Sequence, residues 1–239
     1  MISVCMATYN GEKFIREQLE SILSQFPVAC AGENVDAEII IADDGSSDGT
    51  LAVVKSLGDA RICVLPAEKH LGVIYNFERA LQTAKGEFVF LADQDDVWLP
   101  GKVDTVLAAL KDADLVTHDA WMLRPSDSQG LSWVRDGKLS GIRAYRSGVA
   151  ANWWKNTFTG CCMAFRRNVL DKALPFPKNL PMHDQWLGLV AEKNFKVKLI
   201  DEPLVEYRQH SANATHVEKS PAGVFQKIKW RLDLAKALL

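Results

Sequence analysis

What this chain lacks narrows the field first. No apolar run approaches the roughly 20 residues needed to cross a bilayer. Its five cysteines (Cys5, Cys30, Cys63, Cys161 and Cys162) are odd in number and have no Cys-x-x-Cys spacing. Three of them sit inside apolar runs, the setting of reduced, buried thiols rather than of a disulfide frame. Positive charge is not in excess either. Twenty-eight basic against thirty acidic residues give a net charge of −2, which removes the electrostatic case for nucleic acid. There is no internal repeat, no low-complexity tract, and no basic leader with a cleavage site ahead of the first strand pattern. Together these absences predict a cytoplasmic protein.

What is present is a regular alternation. At 239 residues and 48% hydrophobic content, the chain suits one large domain, or one domain with an extension. Ile2 to Ala7 reads as a strand closed by Thr8-Tyr9-Asn10-Gly11, and Phe14, Ile15, Leu19, Ile22 and Leu23 follow at helical spacing. After a loop at 27–36, Ala37 to Ala42 reads as a second strand, running into Asp43-Asp44-Gly45-Ser46-Ser47-Asp48-Gly49. Ser47 or Asp48 can cap the helix beyond it. Ile62 to Leu65 and Phe88 to Ala92 are further strands, each followed by a helix pattern, and Leu115 to Thr117 starts a fifth. Strand–helix units of this length predict an α/β fold: a mostly parallel twisted sheet wound by right-handed crossovers and flanked by helices.

The stretch from Phe88 to Pro100 organises the rest. A strand apolar throughout, as one buried on both faces is, ends directly in Asp93-Gln94-Asp95-Asp96. Carboxylates at the carboxyl end of a central strand stand where open α/β sheets bind ligands. Crowded acids repel unless a cation compensates, and hard oxygen ligands suit Mg²⁺ or Mn²⁺ with a phosphorylated substrate. With eighteen aspartates, one Asp-x-Asp is expected by chance. Asp112-Ala-Asp114, between a helix pattern and a strand, is such a pair and merely solvates a turn. Position separates the two. Asp43-Asp44 closes a strand at the same predicted edge, although its Asp, Gly and Ser also suit a plain turn.

Beyond Trp121 the pattern changes. Residues 124–156 are rich in Ser, Gly, Arg and Trp without a period, as functional or mobile segments are. Phe158 to Phe165 is strand-like, Gln185 to Ala191 reads as a short helix, and Val197 to Ile200 and Leu204 to Tyr207 as two strands. From the residues alone, Asp184 is open between a helix cap and a catalytic carboxylate. His183 is open between a core residue and a site residue, and Asp119 between a site residue and a loop cap.

In this order, Thr8-Tyr9-Asn10-Gly11, Asp43-Asp44-Gly45-Ser46 and Asp93-Gln94-Asp95-Asp96 resemble the successive markers of family-2 glycosyltransferases, inverting enzymes with the A-type nucleotide-sugar fold. Thr159-Gly160-Cys161, His183-Asp184-Gln185-Trp186 and Tyr207-Arg208-Gln209-His210-Ser211 fit as well, so the resemblance runs from residue 7 to residue 211. It implies a Rossmann-like nucleotide-sugar-binding half over 1–120, an acceptor-side extension with the catalytic base over 121–215, and an amphipathic helix over 216–239. It implies that Ala7 and Tyr9 line the base pocket, that Asp44 accepts the base N–H, and that Gly72 allows close backbone approach. Asp93 would contact ribose or metal, Asp95 would ligate Mg²⁺ or Mn²⁺ with His210 nearby, and Asp184 would deprotonate the acceptor hydroxyl. Gly160 and Trp186 would stand on the acceptor side. Leu-Ala-Asp-Gln-Asp-Asp-Val-Trp, His-Asp-Gln-Trp and Arg-Gln-His-Ser most resemble the rhamnosyltransferase-like branch, which builds bacterial cell-surface polysaccharides from dTDP-rhamnose.

The expected partners are a nucleoside-diphosphate sugar and a glycan or lipid-linked acceptor, with no nucleic acid. The tail from Val224 to Leu239 mixes Phe225, Ile228, Trp230 and Leu232 with Lys227, Lys229 and Arg231. It reads as a helix on the domain, against a partner, or at the inner face of the membrane. Two other functions share these features. A sugar-nucleotide nucleotidyltransferase would need a glycine-rich basic loop after the first strand, where Thr8-Tyr9-Asn10-Gly11-Glu12 stands. A non-catalytic nucleotide-sugar-binding protein would have no use for both Asp95 and Asp184.

Overall fold

The computed structural model describes residues 1–26, 37–67, 70–127, 132–210 and 223–239. The loop expected at 27–36, with Cys30, lies outside the described residues, as does Ser211. In chain order the elements are β1 (Ile2–Thr8), α1 (Ile15–Leu23), β2 (Ala37–Asp43), α2 (Thr50–Ser56), β3 (Ile62–Leu65) and α3 (Val73–Thr83). Next come β4 (Phe88–Ala92), β5 (Val97–Trp98), α4 (Lys102–Ala109), β6 (Leu115–Pro125), β7 (Trp133–Lys138) and α5 (Val149–Trp154). The chain closes with β8 (Met163–Arg166), α6 (Leu170–Ala173), α7 (His183–Asn194), β9 (Val197–Arg208) and α8 (Val224–Leu238).

Among the described residues, the nine strands join one sheet in the order β3-β2-β1-β4-β8-β6-β9-β5, with β7 paired to β6. The apolar strands carry residues for two cores. Val4 and Met6 of β1, Ile39 and Ile41 of β2, and Phe90 of β4 pack on α1 and α4. The alternate residues Cys5, Ile40, Val89 and Leu91 pack on α3 and α7. That division explains why these strands read as continuous apolar runs: both faces are covered. Each fully buried aliphatic side chain, Ile40 among them, contributes roughly 1.5–3 kcal/mol.

Register positions the site. β1 pairs in parallel with β2 so that Thr8 lies beside Asp43, and with β4 so that Met6 lies beside Ala92. Tyr9, Asp44 and Asp93 therefore leave the sheet at one edge. β8 then runs antiparallel between β4 and β6, bringing the turn of residues 160–162 to that edge too. β9 is parallel to β6, and its end pairs with β5, so residues 206–210 return beside Asp95 and Asp96.

The second half differs in detail from the expectation. β6 runs on to Pro125 and forms a hairpin with β7, whose residues are mostly exposed and so show no alternation. The two strands expected over 197–207 are one strand, with register shifts around Pro203, which has no N–H for the ladder. The strand-like run from Phe158 begins as a 3₁₀ turn at Gly160–Cys162, and the expected short helix spans His183–Asn194. Among the described residues, no helix is long and apolar enough to cross a membrane.

Candidate active site

The edge is zipped together by the residues of the sequence motifs. Thr8 Oγ1 donates to Asp43 Oδ1 at 2.9 Å, and Asp43 Oδ2 accepts from the backbone N–H groups of Gly45 and Ser46 at 3.0 and 2.8 Å. Asn10, held at φ 50°, donates its N–H to Ser46 Oγ and accepts from Ser47 N. The Gln94 amide clamps Tyr9 from the other side, accepting from its N–H at 2.9 Å and donating to its carbonyl at 3.1 Å. Asp43 is thus a turn-former, buried at 1% exposure, while its neighbour Asp44 faces the opening.

Beyond this edge lies an open cleft of about 350 Å³, within the range of small-ligand sites. Ala7, Tyr9, Asp44 and Gly72 line one end; Gly160, His183 and Asp184 line the other; Asp93 and Asp95 lie between. Asp44 accepts from Leu71 N at 2.6 Å and Gly72 N at 3.0 Å, with His70 Nδ1 2.9 Å from its second oxygen. Gly72 has φ 81°, which only glycine adopts without strain, and opens α3. Tyr9 is 47% exposed and meets His70 edge to face at 5.0 Å, leaving an aromatic wall for a flat ligand.

Asp95 Oδ2 lies 2.9 Å from His210 Nε2. His210 stacks on Phe14 at 4.8 Å, with Trp133 edge-on at 6.4 Å. Asp184 opens α7, its Oδ1 accepting from Asn156 Nδ2 at 2.9 Å and Gln185 N at 2.6 Å. Burial pushes Asp184 up to about 6, although the Arg143 charge and these donors hold it down. Burial, then the charges of Asp95 and Asp184, push Asp93 up to about 8. His183, stacked on Phe77 at 3.9 Å, is driven down to about 3 by burial alone and is neutral.

Acids kept this close need compensation, and the donor set fits a hard dication on the cleft side. Asp93, Asp96 and Cys161 also bring ligand atoms within 4.8 Å of one another. Asp96, however, is fully buried, accepts from Arg208 N at 3.1 Å, and faces a thiol, a poor ligand for Mg²⁺ or Mn²⁺. Asp93 and Asp95, which line the cleft, and His210, in contact with Asp95, are the better candidates.

The glycosyl transferase family 2 model matches residues 3–174. The chain belongs to that family. Among its relatives, an Escherichia coli protein named UDP-Glc:alpha-D-GlcNAc-diphosphoundecaprenol beta-1,3-glucosyltransferase WfgD is 30% identical over 81% of this chain and 71% of its own length. The dTDP-rhamnosyl transferase RfbG of Shigella flexneri is 27% identical over 87% and 72%. The putative teichuronic acid biosynthesis glycosyltransferase TuaG of Bacillus subtilis is 27% identical over 99% and 91%. Of solved structures, S. aureus TarS 1–349 in complex with UDP-GlcNAc superposes with a TM-score of 0.74 at 20% identity, over 99% of this chain and 66% of that one. That likeness establishes the A-type glycosyltransferase fold.

Within this family member, the cleft gathers nine of the ten expected positions at or beside it, His210 through its contact with Asp95. Trp186 is the exception. Its indole is 4% exposed and donates to Ala173 O at 2.9 Å, so it is a core residue and not an acceptor contact. Asp119 caps a loop: its carboxylate accepts from Ser140 N and Ser140 Oγ at 3.0 and 2.6 Å. Cys161 and Cys162 are buried free thiols.

Two residues had no signal in sequence. Lys102, just past Pro100, is fully buried, donating to Cys161 O at 2.9 Å with its ammonium 4.1 Å from the Trp98 ring centroid. Burial lowers it to about 8, against the opposing pull of Asp96 and Asp93. Arg143, in the aperiodic segment, lines the cleft together with Thr159, Gly160 and Asp184.

Proposed function

We propose that this family-2 protein is an inverting, metal-dependent glycosyltransferase. It moves a sugar from a nucleoside diphosphate, dTDP-rhamnose or a UDP-hexose, to a hydroxyl of a glycan or lipid-linked saccharide. The observation that carries the reading is that Asp184 and the Asp93–Asp95 pair line one cleft. Inverting displacement needs a base on the acceptor face and charge compensation on the leaving-group face, and Asp184 at one end of the cleft and the Asp93–Asp95 pair at its middle offer the groups for both.

In this reading Ala7, Tyr9 and Asp44 hold the base, with Gly72 giving the backbone room beside the nucleotide. Asp93 takes the ribose or metal, and Asp95 with His210 holds Mg²⁺ or Mn²⁺. The cation, when bound, neutralises the departing diphosphate. Asp184 Oδ accepts the proton of the acceptor hydroxyl as the new glycosidic bond forms, and Asn156 and the Gln185 N–H keep that carboxylate aimed. Gly160 leaves room beside it, since a Cβ there would stand 3.0 Å from His183 Nε2. Residues 1–120 form the donor half and 121–210 the acceptor half, with α8 (Val224–Leu238) packed on the latter through Leu234 and the Trp153 Nε1 to Arg231 O hydrogen bond.

The relatives RfbG, TuaG and WfgD support, by their names, a role in cell-surface polysaccharide synthesis, with dTDP-rhamnose favoured by the motif resemblance. A cytoplasmic site at the inner membrane face accords with α8, where Phe225, Ile228 and Leu232 are exposed beside Lys229 and Lys236. A donor screen by thermal shift, with and without Mn²⁺, followed by turnover of wild type and Asp184→Asn, tests the assignment. Turnover by wild type and its loss in Asp184→Asn is expected. Binding without turnover of any donor would favour a non-catalytic sensor.

A further inference from the structure

The acceptor end of the cleft holds more polar equipment than deprotonating a hydroxyl requires. Arg143, partly buried, is part of the cleft lining, and its Nη1 donates to Phe158 O at 3.3 Å. Two further lining groups are at least nine-tenths buried and have no hydrogen-bond partner among the described residues: Thr159 Oγ1 and both ring nitrogens of His183. Buried polar atoms left unmatched are costly, and both residues belong to the cleft lining, against which a ligand would pack.

Arg143 is also held in place. Its N–H donates to Leu139 O at 2.8 Å, and the loop of residues 139–141 is pinned by the 5%-exposed Asp119 through both donors of Ser140. An arginine on a pre-ordered loop loses less freedom on binding than one on a free loop. Its charge acts on Asp184, which puts it at the same end of the cleft as that carboxylate.

The rest of the cleft is acidic, with Asp44, Asp93, Asp95 and Asp184 in its lining. A neutral saccharide gains little from a guanidinium there. An anionic one would be repelled without it.

Resting on the glycosyltransferase reading, we propose that Arg143 and Thr159, beside His183, form a subsite for a compact oxyanion carried by the acceptor sugar, either a phosphate or a carboxylate. The guanidinium fork matches either group, and the hydroxyl supplies a further donor.

The test occupies the donor end with UDP or dTDP plus Mn²⁺, then titrates glucose 1-phosphate, glucuronate and glucose by calorimetry. Wild type is expected to bind at least one anionic sugar tenfold or more tighter than glucose, and the phosphate and carboxylate arms distinguish the two sources. Arg143→Gln should bring that ratio to within threefold, Arg143→Lys should keep part of it, and Thr159→Val should weaken the anion several-fold. Equal binding of the three sugars by wild type, or a preference surviving in Arg143→Gln, overturns the subsite while leaving the transferase reading standing. Failure of both nucleotides to bind overturns both.

Discussion

His210 Nε2 meets Asp95 Oδ2 at 2.9 Å, across 115 residues of chain. Arg208 arranges this meeting: its N–H donates to Asp96 Oδ1 at 3.1 Å and its guanidinium to Asp95 O at 3.2 Å and Glu17 Oε2 at 2.6 Å. The end of β9 is thereby sewn to the acidic segment, and His210, two residues on, reaches the carboxylate. A histidine that merely solvated a loop would not be aimed so.

If this pair holds the cation, His210→Ala weakens Mn²⁺ binding by about 10–100-fold, and Asp95→Asn weakens it further. Isothermal titration of Mn²⁺ in the presence of nucleotide measures both. Unchanged affinity in His210→Ala would make the contact structural.

Asp184 acts as a base only when ionised, and burial sets its carboxyl at about 6. Activity limited by this group therefore rises with pH below about 6, tenfold per unit, and levels above it. Asn156→Ala removes a donor that favours the carboxylate, so the limb should move to higher pH, by roughly half to one unit, at a similar plateau. A limb that stays put in that variant would assign the ionisation elsewhere.

Much of this site was legible because its residues stand at strand ends. The runs of β1 and β2 are mostly apolar and that of β4 wholly so, as central strands are, and the register that aligns Thr8 with Asp43 delivers the motifs to one edge. The second half hid its structure for two reasons. The exposed β7 hairpin has no buried face to impose a period, and Arg143 sits past it. Lys102 reads as a surface lysine at the start of a helix, and only the folded core shows its ammonium enclosed. Trp186 misled because a tryptophan beside Asp184, the candidate base, fits a sugar platform and a core equally well; α7 turns it inward.

Gly11 carries a steric requirement of its own. A Cβ there would lie 2.4 Å from Gln94 Oε1, so Gly11→Ala must displace the amide that bridges Tyr9. The expected loss is roughly 1–3 kcal/mol of stability, read by urea denaturation. Gln94→Ala alone also destabilises, but it should make the added cost of Gly11→Ala nearly vanish. Additive losses in the double variant would show that Gly11 is required for another reason.

The acidity of the cleft also sets the stability of the metal-free protein. Asp93 and Asp184 are raised to about 8 and about 6, above the value near 4 of an unfolded chain. Between those limits the native state holds protons that the unfolded state has released, so stability is highest in mild acid and falls as pH rises toward 8. His183, lowered to about 3, opposes this trend below about 6.5, where the two raised acids together outweigh it, and Lys102, lowered to about 8, opposes it only above that pH. A bound dication requires the ionised acids and reverses the trend. The melting temperature without metal should accordingly drop between pH 5.5 and pH 8, while the stabilisation by Mn²⁺ grows across the same span. Asp93→Asn should flatten the metal-free slope. A slope unaltered by that substitution would mean that the cleft acids are not what the folded chain is protonating.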